Sequence, residues 1–160
     1  RVGAHMPLMQ CYTMKKDYNK ALAHCDWVIN NAEEKEWARR CNQQRPELLL
    51  IQGKLSLDDF FELAKKDNAL YDRIAQMGRF KDLGILDRII KEAPLNSQYG
   101  MEAQYWKLEY YDAFNMPERA KLQAEYILEN CKYDPVLNWV RKRMAKEKEA
   151  TEAAARSKTR

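Results

Sequence analysis

Glycine and proline are scarce, at five residues each in a chain of 160. Threonine and valine are sparse as well, and no Asn-Gly or Asp-Gly pair occurs. These shortages remove the usual material of hairpin turns and strands and so exclude a β-rich fold. No apolar run approaches the ~20 residues of a membrane-spanning helix. Histidine is nearly absent: His5 and His24 are the only two. The four cysteines, Cys11, Cys25, Cys41 and Cys131, form no C-x-x-C pair and have no histidine at ligand spacing. No G-x-S-x-G elbow, Walker loop, Rossmann fingerprint or H-E-x-x-H helix is found, so no enzymatic activity, metal or cofactor is expected.

Leu, Ala, Glu, Lys, Gln and Met are abundant, and all lose little rotamer freedom in a helix. The expected class is all-α, with about eight helices joined by short turns that make sequence neighbours pack antiparallel. The formal net charge of +4 is uneven. From residue 141 onward eight Lys or Arg face three Glu, which leaves residues 1–140 one charge negative. The basic character therefore belongs to a C-terminal tail, and the body does not look like a nucleic-acid-binding domain.

The organisation reads as a tag remnant over 1–6, a helical repeat domain over 7–140 and a basic helical tail over 141–160. The chain after the tag starts inside a helical pattern, which suggests a fragment of a longer protein. A first helix over about Pro7 to Met14 would bury Leu8, Met9 and Tyr12. A second carries Ala21, Cys25 and Val28 at helical spacing, so Cys25 reads as a small apolar residue. Trp37 sits in a charged stretch that offers a further helix. Pro46 suits the first position of a helix over Glu47 to Gln52, closed by Gly53. Ser56 caps a longer helix whose inner face runs from Leu57 and Phe60 to Tyr71 and Ile74. The next holds Phe80, Leu83, Leu86 and Ile89. An aromatic helix follows from Ser97, with Tyr105, Tyr110, Tyr111 and Phe114. Pro117 opens another, and Asp134-Pro135 caps the last.

Two stretches share a pattern. Leu8-Met9-x-x-Tyr12 followed by Asp17-Tyr18-x-x-Ala21-x-x-x-Cys25-x-x-Val28 is echoed by Leu108-x-x-Tyr111 followed by Pro117-x-x-Ala120-x-x-x-Ala124-x-x-Ile127, with Ala21 and Ala120 99 positions apart. Paired helices with small residues on the second one, at nearly three times a ~34-residue period, resemble the tetratricopeptide repeat. The resemblance spans about two thirds of the chain, firmer at its ends than in the middle, where Leu83 and Asp87 depart from the pattern. It implies an α-α superhelix of three to four units, acting as a protein–protein interaction scaffold or adaptor.

In that family the first helices line a concave groove. The resemblance places Gln10, Thr13 and Met14 there from the first unit, Lys65, Asn68, Asp72 and Gln76 from the middle, and Glu102, Tyr105, Glu109 and Asp112 from the last. With the last unit acidic, a basic or mixed-charge peptide or helix is the expected partner, and an acidic chaperone tail is not. The tail residues Arg141, Lys142, Arg143 and Lys146 read as a solvated helix extension with Arg143–Glu147 and Glu152–Arg156 pairs. They leave two rival functions: an RNA-binding repeat protein that uses the tail, and a helical regulatory domain of a larger enzyme. Free cysteines point to the cytoplasm. His5 belongs to the tag remnant, and His24 reads as a rim residue.

Overall fold

A computed structural model describes residues 2–79, 81–94 and 96–159. Among these residues there are nine helices and no strand. They are α1 (Val2–Met14), α2 (Tyr18–Asn31), α3 (Lys35–Ile51), α4 (Leu57–Lys66), α5 (Ala69–Gly78), α6 (Leu83–Glu92), α7 (Gln98–Ala113), α8 (Pro117–Asn130) and α9 (Asp134–Lys158). The all-α class follows. No helix among the described residues is long and apolar enough to cross a membrane. Phe80, expected in the sixth helix, lies outside the described residues.

The chain forms two compact units, residues 1–74 and 75–160, whose boundary falls within α5. In the first unit α1 packs on α2 and α2 on α3. Met9, Ala21, Cys25, Val28 and Cys41 are all completely buried in one cluster with Leu48 and Met6. Cys25 donates to the Cys41 carbonyl at 3.1 Å, and burial pushes its thiol well above the usual cysteine range. In the second unit α7 packs against α6, α8 and α9. Leu108, Ala120, Ala124, Ile127, Val136 and Val140 form its core.

Several boundaries differ from those read off the sequence. The first helix begins at Val2, ahead of Pro7. Met6 joins its buried stripe, and Leu8 is 41% exposed instead. His5 is not idle: it stacks on Trp27 at 3.8 Å and hydrogen-bonds His24, 2.7 Å between Nδ1 atoms. Pro46 lies inside α3 and does not start a helix. Cys41 and Leu48, on either side of it, are both buried in the same cluster, and that burial holds the helix together across the lost hydrogen bond. The long helix expected from Ser56 to Ile74 is broken in two. Asp67 is extended (φ −133°, ψ 96°) and its carboxylate accepts from the Ala69 N–H, an Asx turn that opens α5.

The repeated pattern has a structural counterpart at the same offset. Lys16 and Asn115 both end a first helix in the left-handed region, at φ 61° and 54°. Each sits in the same pair of closing bonds: Asp17 N to Tyr12 O and Lys16 N to Thr13 O, against Met116 N to Tyr111 O and Asn115 N to Asp112 O. The second helices also end alike, Asn31 bonding the Trp27 carbonyl and Asn130 the Tyr126 carbonyl. Even the polar bridge between the helices is matched, His5–His24 in one hairpin and Gln104–Gln123 in the other.

Candidate functional site

The residues expected in a groove divide between the two units. In the first, Gln10 and Met14 are exposed on α1, and Asn68 and Asp72 are exposed beyond the α4–α5 break. That break undoes the single face on which Lys65, Asn68, Asp72 and Gln76 were expected. Lys65 is on α4, where it pairs with Glu62; Asn68 is in the link; Asp72 and Gln76 are on α5. Gln76 is exposed in the second unit.

In the second unit α7 and α9 enclose a cleft of about 580 Å³. From α7 come Tyr105, Glu109 and Asp112, spaced to share one face. From α9 come Trp139, Lys142, Arg143, Lys146 and Glu147, again one face. Tyr105 faces Trp139 with ring centroids 5.1 Å apart, while Asp112, two turns further along α7, meets Arg143, one turn further along α9, so the two helices run in the same direction here. Two groups assigned to separate places by sequence, the acidic groove of the last unit and the basic tail, thus line one cleft. Glu102 is half-buried on α7 and does not line it.

The walls carry an ordered ion-pair network. Arg143 donates to both carboxylate oxygens of Asp112, at 2.8 and 2.7 Å, and lies 2.8 Å from Glu147. These partners hold the Arg143 guanidinium above its usual range, the Asp112 hydrogen bond most of all. Glu109 is bound by Arg79, whose guanidinium also lies over the Trp106 ring at 4.1 Å. Burial, with the Glu109 carboxylate beside it, raises the Tyr105 phenol above the ordinary tyrosine range. Lys142 and Lys146 are exposed and make no ion pair with any described residue. Arg141 is exposed and does not line the cleft.

Sequence reasoning missed Trp139, Arg79 and Glu147 as parts of this site. Trp139 could have been found, because it precedes Lys142 and Arg143 by three and four residues on one helix. Arg79 gave no such signal, since it reaches Glu109 from 30 positions away.

Chemically, the cleft offers an aromatic floor, hydrogen-bonding groups and charge. Among the described residues that line it there is no histidine, cysteine or serine. Among the described residues no group of three or more His, Cys, Asp or Glu is placed to hold a metal ion. The chain matches no family model, no curated protein and no solved structure.

Proposed function

We propose that the protein is a non-catalytic docking scaffold of divergent tetratricopeptide-repeat type, and that the α7–α9 cleft of its second unit receives a peptide or helix of a partner protein. The observation that carries this reading is the cleft itself: half-buried aromatic rings of Tyr105 and Trp139 at its base and charged side chains at its rim. Apolar floors with polar rims and exposed Tyr and Trp are what peptide-binding surfaces use. The α1–α2 and α7–α8 hairpins, alike in the left-handed close of the first helix, in core positions and in second helices of 14 residues each, support the repeat reading. The expectation of a basic partner counted Glu109 and Asp112 as free charges. Their pairing with Arg79 and Arg143 takes away that reason.

Selection of displayed random peptides against the protein, counter-screened on Tyr105→Ala/Trp139→Ala, tests the docking reading. Enriched peptides should bind the native chain and lose binding to the variant, with circular dichroism confirming that the variant is folded. Peptides indifferent to both changes would place docking elsewhere. A labelled RNA oligonucleotide provides the contrast. Salt-sensitive RNA binding lost on deleting residues 141–160, with no peptide enriched, would favour the RNA-binding reading instead.

A further inference from the structure

Resting on the docking reading, we infer that the occupant of the α7–α9 cleft is an acidic peptide segment: carboxylates next to an apolar or aromatic anchor. The argument is one of which charges remain available. Three carboxylates, Glu109, Asp112 and Glu147, line the cleft, and each is already engaged by an arginine. Arg143 is only 17% exposed, and Arg79 and Glu109 are 25% exposed each. A basic ligand would have to compete for these acids with arginines already bound to them through charge-assisted hydrogen bonds. An acidic ligand breaks nothing. Lys142 and Lys146, one helical turn apart at the rim, hold no partner among the described residues. Both lie beyond Trp139 along α9, so they can hold carboxylates that follow, on one side, a side chain resting on the Tyr105 and Trp139 rings.

The same geometry disfavours a polyanion. A nucleic-acid backbone spreads phosphates along its whole length, and the cleft has only two unpaired lysines, Lys142 and Lys146, to receive them. A short peptide places its few carboxylates at the rim alone.

The test uses the full chain and three fluorescein-labelled hexapeptides with blocked ends, so that all charge comes from side chains. Each carries a Leu-Phe centre flanked by two Glu, two Gln or two Lys on both sides. Fluorescence anisotropy should show the Glu peptide binding most tightly and weakening as salt rises. Lys142→Glu/Lys146→Glu should weaken it at least ~10-fold, which is the size of effect expected from reversing rim charges. Lys121→Glu/Lys132→Glu, an equal charge change on exposed residues away from the cleft, should leave binding unaltered. Tighter binding of the Gln or Lys peptide, lost in Tyr105→Ala/Trp139→Ala, would overturn the acidic preference and leave docking standing. Failure of all three peptides, equal loss in the two charge-reversal variants, or labelled oligouridine binding where the Glu peptide does not, would overturn the inference itself.

Discussion

The α1–α2 and α7–α8 hairpins are one design with two surfaces. Inside, position answers to position across the 99-residue offset: Met9 and Leu108, Ala21 and Ala120, Cys25 and Ala124, Val28 and Ile127 are all buried. The left-handed caps at Lys16 and Asn115 and the terminal asparagine bonds coincide as well. Outside, the correspondence ends. Where α7 carries Glu109 and Asp112, α1 carries Gln10 and Thr13, and half-buried Tyr105 answers to Met6, which is buried in the first unit's core. Only the acidic version recruits arginines, Arg79 and Arg143, and so builds a charged cleft with α9. A core pattern therefore sets the hairpin, while its outer face is free to differ, and function is sought on that face.

Equivalence of the two interiors is open to direct attack. Met9→Ala and Leu108→Ala each delete a fully buried side chain at matched positions and should each cost about 2–5 kcal/mol, read by urea unfolding. A near-silent result at one of them would break the correspondence. A smaller effect separates the exteriors. Arg143→Ala removes the paired hydrogen bonds to Asp112, and with that partner 43% exposed the loss should be near ~1 kcal/mol and shrink in high salt. Thr13→Ala, at the α1 position that matches Asp112, removes only a hydroxyl bond to the Met9 carbonyl and should show no such salt dependence.

The caps provide a gain of stability. Lysine is strained at φ 61°, so Lys16→Gly should stabilise by up to ~1 kcal/mol in thermal melts. Asparagine tolerates this region, so Asn115→Gly should gain only a few tenths at most (~0.3 kcal/mol). The subtlest contrast is alkaline. Tyr105 has a raised pKa in the folded state, so its contribution is fully present below the unfolded tyrosine value of ~10 and is lost as pH rises through the higher folded value. Absorbance at the tyrosinate band should show a late-ionising phenol that Tyr105→Phe removes, and melts of that variant should lose less stability over the same interval. Met6, at the matching place, has nothing to titrate.

Helical periodicity and capping residues made most of the fold legible. Ser56, Ser97 and Pro117 start helices as read, and Gly53 closes one with φ 68°. Of two errors, one arose where tertiary burial overrode a local signal and the other where a local turn signal went unread. Pro46 reads as a helix start, yet Cys41 and Leu48 are held in one core on both sides of it. Asp67 reads as one more polar residue in a long helix, yet its side chain turns the chain. For the site, Tyr105, Glu109, Asp112, Lys142, Arg143 and Lys146 were all readable as candidates, but their meeting in one cleft was not. It depends on α9 packing back on α7, a contact between residues some 31 positions apart that no local pattern encodes. The signs of charge were legible; which charges were already spent on each other was not.

The most direct measurement is a nitrogen-15 amide spectrum of the full chain titrated with the Glu-flanked peptide. Shifts should concentrate on α7 and α9 around Tyr105, Glu109, Trp139, Lys142 and Lys146, with Gln10, Thr13 and Met14 on α1 unmoved. Shifts centred on α1, or a spectrum unchanged at saturating peptide, would contradict the assignment of docking to the α7–α9 cleft.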